Sequence, residues 1–191
     1  MRDIRSLLIL AICAFFTAFA SAEGPAGVAG APYVPTPTAI VDRMLTLAKI
    51  VPSDYVIDLG SGDGRLVITA VAKYKARGGM GVDIDRDLVK LATANAEKAG
   101  VAGAVSFVAG DLFLADVEKA TVVTLYLLPS MMADVETKLR KELKPGTRVV
   151  SHDYPLPSWK PVEVVTFDTE EKIPISGTTR TVLLLYRVSA R

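Results

Sequence analysis

Short runs of apolar, often β-branched residues alternate along this chain with longer stretches in which apolar residues recur at helical spacing. The short runs predict strands buried on both faces, and the longer stretches predict amphipathic helices. The predicted strands span residues 56–59, 80–83, 104–108, 121–129, 147–151, 162–167 and 180–188. Strands that alternate with helices and end in an antiparallel hairpin predict a seven-stranded, doubly wound α/β domain.

Four helices are predicted before and between these strands. The hydroxyl of Thr36 or Thr38 is a candidate cap for the first helix, and that of Ser130 is a candidate cap for the last. The third helix is predicted over residues 86–99, and both Asp83 and Asp85 are candidates to cap it. The predicted inward face of this third helix comprises Leu88, Val89, Leu91, Ala92 and Ala96.

Residues 1–22 have the pattern of a signal peptide. Arg2 and Arg5 form a basic start, residues 7–20 form an apolar run, and the end of the segment matches the small-x-small cleavage pattern. The alternative is an uncleaved membrane anchor through residues 7–22, although a span needs roughly 20 apolar residues. We therefore expect an exported, periplasmic protein, or one that is attached to a membrane by this segment.

Residues 23–36 are rich in glycine, alanine and proline, and they predict a linker and lead-in to a domain of residues 37–191. The prolines stiffen the end of this lead-in as an extended chain. Two interpretations stay open. It is either a plain approach to the first helix or a segment folded over the ligand site.

Composition and charge exclude several classes of function. A net charge of +1 gives no basic surface for general nucleic-acid binding, so we expect no nucleic-acid partner. Cys13 is the only cysteine and His152 the only histidine. The chain therefore lacks an internal disulfide and the thiolate or histidine cluster of a zinc site, and we expect no metal.

A glycine turn, Asp58-Leu59-Gly60-Ser61-Gly62-Asp63-Gly64, joins the first strand to a helix. Its glycines let the backbone approach a ligand closely, and the ligand would meet free N–H groups at the positive end of the helix. The dinucleotide fingerprint G-x-G-x-x-G is incomplete, because Arg65 occupies its third glycine position. Gly64 gives the pattern G-x-G-x-G instead.

An acid follows the second predicted strand. Asp83 lies near the offset at which a carboxylate accepts the ribose hydroxyls in nucleotide-binding α/β folds. Asp85 competes for this role. The alternative for both acids is that they simply cap the next helix.

The acid, one residue and G-x-G-x-G together resemble the first motif of class I S-adenosylmethionine (SAM) methyltransferases. The resemblance implies a Rossmann-like fold with SAM as the cofactor at the carboxyl ends of the first strands. In that family the amino acid part of SAM is held by the residues that correspond to Asp58, Gly60, Ser61, Gly62 and Gly64.

The same resemblance implies which residues contact the nucleoside part of SAM. It implies that Asp83 holds the ribose, that Ile84 lies against the adenine and that Asp85 is the helix cap. Asp111 would accept a hydrogen bond from the adenine amino group, with the Leu112 backbone beside the ring. The alternative for Asp111 is an ordinary turn residue. If the lead-in folds over the site, Thr36 adds a further cofactor contact.

Three longer segments indicate which group of methyltransferases the chain resembles. They are Pro-Tyr-Val-Pro-Thr at 32–36, Leu-Tyr-Leu-Leu-Pro at 125–129, and the run at 148–159. Together with the glycine turn they resemble the small lysine methyltransferases of the ATP synthase c-subunit type and, more remotely, the histone-lysine methyltransferases that lack a SET domain. The resemblance implies methyl transfer to a protein lysine. Methyltransferases acting on bases or glutamine carry Asn/Asp-Pro-Pro-Tyr in place of residues 126–129.

The implied reaction requires an amine to attack the SAM methyl group in line, away from water. A lysine of pKa about 10.4 must first lose its proton, and an apolar, aromatic channel favours that loss. Tyr33, Tyr126 and Tyr154 are candidates for the channel wall. His152 is a candidate base, because its ordinary pKa lies near neutrality, and its alternative is a structural role at a strand end.

Two other functions stay open at this point. One is a methyltransferase for the amine or hydroxyl of a small molecule, and the other is a non-catalytic SAM- or nucleotide-binding module on the same fold. SAM binding with methyl transfer separates an enzyme from the module. The location of the transferred methyl separates a protein substrate from a small molecule.

Overall fold

The computed structural model describes residues 33–190, which form one sheet with helices on both faces. The strands are β1 (Tyr55–Leu59), β2 (Gly78–Asp83), β3 (Val105–Ala109), β4 (Val122–Leu125), β5 (Arg148–His152), β6 (Glu163–Asp168) and β7 (Arg180–Arg187). The α-helices are α1 (Thr38–Leu47), α2 (Arg65–Ala72), α3 (Arg86–Lys98), α4 (Met132–Glu142) and α5 (Ile173–Ser176). Short 3-10 turns, Pro129–Met131 and Glu170–Lys172, precede α4 and α5.

The predictions for residues 1–22 and for the linker as far as residue 32 lie outside the described residues. Within residues 33–190, no helix is both long enough and apolar enough to cross a membrane.

The strand order is β3-β2-β1-β4-β5-β7-β6. The first five strands of this order are parallel, and β7 pairs antiparallel with both β5 and β6. The chain moves outward from β1 in one direction through β2 and β3, and then in the other direction from β4. The carboxyl ends of β1 and β4 therefore meet at the switch point of the sheet, where doubly wound folds bind ligands. The predicted seven-stranded sheet with a terminal hairpin is confirmed.

Alternation along each strand sends its side chains into one of two cores. In β1, Val56 packs under α1 and α2, whereas Ile57 and Leu59 pack under α4 on the other face. All three side chains are buried, and full burial of such a side chain contributes roughly 1.5–3 kcal/mol. The two cores fix β1 between them, and the glycine turn that follows β1 starts from a rigid strand end.

The predicted caps of α3 and α1 have different outcomes. Asp85 caps α3, because its side chain accepts hydrogen bonds from Asp87 N and Leu88 N. In α1 the capping position is Pro37, whose carbonyl accepts from the first free amides, so neither Thr36 nor Thr38 caps it.

The cap predicted for Ser130 is wrong as well. Ser130 lies in the Pro129–Met131 turn, and α4 begins only at Met132 without a side-chain cap. The predicted strand 121–129 is also too long, because β4 ends at Leu125 and the chain then turns into the ligand site.

The predicted inward face of α3 is too wide. Leu88, Ala92 and Ala96 form a buried stripe at i, i+4 and i+8, but Leu91 is 38% exposed. The small alanines let α3 approach the sheet along this narrow stripe, and a residue three positions from Leu88 lies at its edge.

Candidate active site

A cavity of about 580 Å³ opens at the carboxyl ends of β1, β2 and β4. Its wall combines the lead-in, the glycine turn, the residues after β2, β3 and β4, and α5. The predicted cofactor residues that line it are Thr36, Asp58, Gly60, Ser61, Gly62, Asp83, Ile84, Asp111 and Leu112. A larger and shallower hollow of about 1140 Å³ lies at the amino ends of the strands, and its described lining contains no predicted site residue.

The glycine turn forms the floor of the cavity. Gly60 N and Ser61 N donate to the Val82 carbonyl at 2.8 and 3.0 Å, which ties the turn to the end of β2. Gly62 has a φ of +52°, and a Cβ at this position would lie 2.5 Å from a ring carbon of Tyr33. Only glycine therefore lets the Tyr33 ring lie directly on the turn.

Gly64 differs from the prediction, because it does not line the cavity. A Cβ on Gly64 would meet the Phe107 ring at 2.6 Å and Ala92 Cβ at 2.9 Å. Gly64 thus allows the start of α2 to pack closely against β3 and α3. Its role in the structure is packing.

Asp83 and Asp85 have separate positions after β2. The Asp83 carboxylate accepts from Gly62 N at 2.8 Å and from Asp85 N at 3.0 Å, and it borders the cavity. Asp85 is buried and its carboxylate is engaged by the first amides of α3. Both acids border the cavity, but Asp85 is the helix cap, whereas the Asp83 carboxylate is tied to the glycine turn. Ile84, between them, is 53% exposed on the cavity wall.

Asp58 is a buried carboxyl at the end of β1. It accepts a 2.6 Å hydrogen bond from the Thr124 hydroxyl of β4. Burial, with a smaller effect of the nearby carboxylates of Asp83 and Asp63, raises the pKa of Asp58 to about 7, although the Thr124 hydrogen bond lowers it. The carboxyl therefore titrates near neutrality, and a cation placed beside it would favour its charged form.

Asp111 is an exposed turn residue that also borders the cavity. Its side chain accepts from Phe113 N at 2.8 Å, as in an Asx-turn. Leu112 follows it, half-buried, on the same wall. The turn interpretation and the ligand interpretation of Asp111 are compatible, because the turn holds the residue at the cavity edge.

A charged cluster that the sequence did not reveal holds the lead-in over the cavity. Arg65 Nη2 lies 2.6 Å from Asp63 Oδ2, and Arg65 Nη1 donates to the Thr36 carbonyl at 2.8 Å. Burial and the adjacent Asp63 charge raise the pKa of Tyr33 to about 12. Of the two interpretations of the lead-in, the structure supports the segment folded over the site.

Three tyrosines line the cavity from three separate segments. Tyr33 comes from the lead-in, Tyr126 follows β4 and Tyr154 follows β5. Burial, with a smaller effect of the Asp153 charge, raises the pKa of Tyr126 to about 12. Tyr33 and Tyr126 are therefore neutral phenols at pH 7, suited to form a wall and unsuited to remove a proton.

His152 does not line the cavity. It is 1% exposed, and its ring packs against Tyr126 with 4.0 Å between centroids. Neither ring nitrogen has a hydrogen-bond partner among the described residues, and Nε2 is 3.4 Å from Asp153 Oδ2. Burial lowers the pKa of His152 to about 4, so the ring is neutral at pH 7. Its position contradicts the general-base hypothesis and fits the structural alternative.

Replacing His152 with phenylalanine is expected to leave kcat within about threefold of the unmodified protein, because the flat ring under Tyr126 is kept. Loss of a general base lowers a rate by about 10²- to 10⁴-fold. The measurement is a steady-state methyl-transfer assay, with a melting curve to show that the variant is folded. A loss of activity larger than about 10²-fold in a folded variant would restore the base hypothesis.

Part of the cavity wall was not predicted from the sequence. The additional apolar lining comes from the turn after β4 and from α5, namely Leu127, Leu128, Met131 and Ile175. The proline at position 129 was a local signal for the turn after β4. No local pattern pointed to Ile175, which reaches the cavity only because β6 and β7 fold back on the sheet.

The residues present fit SAM, the cofactor that the resemblance implies. Asp83 offers carboxylate oxygens for a diol, and the exposed Ile84 offers an apolar surface for a base. Gly60 and Gly62 of the turn border the cavity, together with the buried Ser61 hydroxyl, which lacks a hydrogen-bond partner among the described residues. Asp58 adds a carboxyl suited to the positive end of the cofactor.

A family comparison identifies the domain. Residues 58–163 match the model of the ANTKMT methyltransferase domain, which covers the glycine turn and the strands as far as the start of β6. That range includes Asp58, Asp83, Asp111 and Tyr126, and it excludes Tyr33, Thr36 and α5.

Three curated relatives are similar over most of this chain. A protein-lysine N-methyltransferase of Saccharolobus islandicus (strain REY15A) is 48% identical over 70% of this chain and 83% of its own length. The adenine nucleotide translocase lysine N-methyltransferase of Mus musculus is 38% identical over 73% of this chain. The ATP synthase c-subunit lysine N-methyltransferase of Homo sapiens is 31% identical over 70% of this chain. The chain spans 60% and 56% of the mouse and human proteins.

A solved structure agrees with the fold and with the cofactor. It is described as an RNA methyltransferase from Salinibacter ruber in complex with S-adenosyl-L-homocysteine, and it is 48% identical with a TM-score of 0.73. The match covers 83% of this chain and 95% of that chain. The resemblance drawn from the glycine turn and the later segments is confirmed. This chain belongs to the ANTKMT methyltransferase domain family and is a methyltransferase that uses S-adenosyl-L-methionine.

Proposed function

We propose that this protein transfers a methyl group from SAM to the ε-amino group of lysine in a protein. The observation that carries the proposal is the charge of the cavity. Its described lining contains the carboxyl groups of Asp58, Asp63, Asp83, Asp85 and Asp111, and the only basic side chain in that described lining is Arg65, which is paired with Asp63. Such a cavity suits cations, and both SAM, with its sulfonium and ammonium, and an incoming lysine are cationic. The curated relatives at 31–48% identity, which are lysine methyltransferases by name, support the same substrate.

The proposed cofactor contacts divide the acids between two ends of SAM. Asp83 accepts the ribose hydroxyls, while Ile84 and Leu112 border the adenine, with Asp111 at its edge. Asp58 and the amides of the glycine turn hold the amino acid part of SAM. Thr36 and Tyr33 cover the cofactor, because the Arg65–Thr36 hydrogen bond keeps the lead-in closed over the turn.

SAM supplies the reactive methyl group on its sulfonium, and the protein contributes alignment and dehydration. The tyrosine wall of Tyr33, Tyr126 and Tyr154 receives the lysine side chain and excludes water from its amine. Removal from water disfavours the charged ammonium, so the lysine gives up its proton to solvent as it enters. With His152 buried away from the cavity, no side chain is required to act as a base.

RNA is the second candidate substrate, because the Salinibacter ruber structure at 48% identity is described as an RNA methyltransferase. The acidic lining disfavours this candidate. RNA binding needs cations that neutralise phosphates, whereas Arg65 in the lining is engaged by Asp63. A small-molecule acceptor is not supported by any specific feature of the described cavity.

The proposal is tested by identifying the methylated atom. The full chain is incubated with cell-extract protein and SAM that carries a labelled methyl group, and the protein is then hydrolysed to amino acids. We expect the label in ε-N-methyl-lysine. Label in another amino acid, or label recovered only in molecules smaller than peptides, would contradict the proposal.

The pKa of Asp58 gives the proposal a pH dependence. Its carboxyl is neutral below about pH 7 and charged above it, and only the charged form attracts the ammonium of SAM. A single titration of this kind should weaken SAM binding about tenfold between pH 8 and pH 6. Calorimetric titration measures the change, and Asp58→Asn should make the profile flat over this interval. An equally steep profile in Asp58→Asn would contradict the assignment.

A further inference from the structure

The segment that joins β6 to β7 forms one wall of the cavity but lies outside the range matched by the family model. It contains the Glu170–Lys172 turn and the short helix α5, and it ends at Gly177 in the left-handed region, with φ +69°. Ile175 and Ser176 of α5 line the cavity. They belong to neither the glycine turn nor the acids proposed to hold SAM, so they are available to a second ligand.

A buried ion pair fixes this segment to the end of β5. Lys172 is 3% exposed, and its Nζ lies 2.6 Å from Asp153 Oδ2 and donates a short hydrogen bond to the Arg180 carbonyl. Lys172 immediately precedes α5. One ammonium therefore joins the segment, β7 and the residue after β5.

Asp153, the partner of Lys172 in this ion pair, has an uncommon backbone conformation. Asp153 has a φ of +64°, which is uncommon for a residue with a side chain. Its Oδ1 accepts from Val182 N at 3.1 Å, and its own N–H donates to the Val182 carbonyl at 2.7 Å. Asp153 lies between His152, which packs under Tyr126, and Tyr154, which lines the cavity. The pair thus connects α5 to the tyrosine wall.

A second contact joins the segment to the first turn of α1. Ala39 N, in the first turn of α1, donates to Glu171 Oε2 at 3.4 Å. The lead-in that carries Tyr33 runs directly into α1. The β6–β7 segment is therefore joined on one side to α1, which follows the lead-in, and on the other to Asp153, which precedes Tyr154.

We propose that the β6–β7 segment, residues 169–177, selects the methyl acceptor, with Ile175 as the residue that contacts the side chain next to the target lysine. The inference rests on the proposed function, and it adds that lysines flanked by an apolar residue are preferred. The Lys172–Asp153 pair is a positioning device that keeps Ile175 on the cavity wall. The apolar side chain of Ile175 can bury surface against an apolar substrate residue next to the target lysine. It gains no such burial when that substrate residue is charged or is a glycine.

The first arm of the test compares two peptides in which the same lysine is flanked by leucine or by glycine. The full-length protein should methylate the leucine peptide with at least about tenfold higher kcat/KM, which corresponds to about 1.4 kcal/mol. Ile175→Asp should lower this preference at least about fivefold through KM, with the Kd for SAM unchanged within about twofold. Ile173→Asp is the matched control, because Ile173 lies in the same short helix, is 47% exposed and does not line the cavity.

The second arm tests the ion pair. Lys172→Met leaves the Asp153 carboxylate without its buried partner, so it should raise KM for the leucine peptide at least about tenfold while the Kd for SAM is kept. The double variant Lys172→Met with Asp153→Asn removes both charges and should recover part of that loss. If Lys172→Met does not fold, the comparison of Ile175→Asp with Ile173→Asp still decides the proposal.

Each result has a defined meaning. Equal kcat/KM for the two peptides, or equal effects of Ile175→Asp and Ile173→Asp, overturns the inference and leaves the proposed function standing. Methylation of extract protein without methylation of either peptide also overturns the inference alone. Absence of labelled lysine in extract protein as well overturns the proposed function together with the inference.

Discussion

Replacing Asp83 with alanine is expected to weaken SAM binding at least tenfold, which is about 1.4 kcal/mol. The substitution removes the carboxylate proposed to accept the ribose hydroxyls. It also removes the acceptor that holds Gly62 N at 2.8 Å and Asp85 N at 3.0 Å, so the floor of the cavity loses an anchor. Calorimetric titration of SAM measures the effect.

Two further variants separate the possible causes. Asp83→Asn keeps one oxygen acceptor but loses the charge, and we expect its affinity to fall between those of Asp83→Ala and the unmodified protein. Asp87→Ala is the matched control, since this acid lies in the first turn of α3, is exposed and pairs with Lys90 at 2.7 Å. A folded Asp83→Ala variant that binds SAM as tightly as Asp87→Ala would remove Asp83 from the site.

Replacing Gly62 with alanine is expected to lower kcat/KM at least tenfold, about 1.4 kcal/mol. A side chain in the left-handed region adds roughly 1–2 kcal/mol of strain. In addition, the new Cβ would lie 2.5 Å from the Tyr33 ring, so the ring must leave the glycine turn. The proposed cover over the cofactor then opens, and the reaction is no longer shielded from water. A methyl-transfer assay with varied SAM and acceptor measures the loss.

The control for this variant isolates the backbone strain. Gly100 at the end of α3 has a φ of +70°, and a Cβ there would meet nothing within 4 Å. Gly100→Ala should therefore lower stability modestly and leave kcat/KM unchanged. Combining Gly62→Ala with Tyr33→Ala removes the collision. Tyr33→Ala should therefore lower kcat/KM much less in the Gly62→Ala variant than in the unmodified protein. The cover model is wrong if Gly62→Ala and Gly100→Ala have the same kinetics.

The parts of the site that follow from sequence are those encoded locally. The strand, the glycine turn and the start of α2 are contiguous, so the backbone conformation of residues 58–65 could be predicted from residue types alone. The separation of Asp83 from Asp85 followed from the family resemblance, because the residues alone left both acids as candidate caps of the same helix. Local spacing did not distinguish the packing role of Gly64 from a ligand role, since both require a glycine.

The parts that could not be predicted depend on how distant segments meet. The Arg65 side chain reaches the Thr36 carbonyl across an interval in which α1 and β1 intervene. His152 lies at the end of a strand, where side chains are expected to face the ligand. Its ring instead packs against Tyr126 in the core, where it is 1% exposed. Ile175 reaches the cavity only through the antiparallel return of β7. No periodicity in a single sequence carries such information.

The most direct test of the central claim is a single reaction with two competing acceptors. The full chain receives labelled SAM together with protein and RNA from the same cells, and the two fractions are separated and counted. We predict label in the protein fraction, as ε-N-methyl-lysine, with at least a tenfold loss in Asp83→Ala at SAM concentrations below the Kd. Label that enters RNA and leaves protein unlabelled would contradict the account.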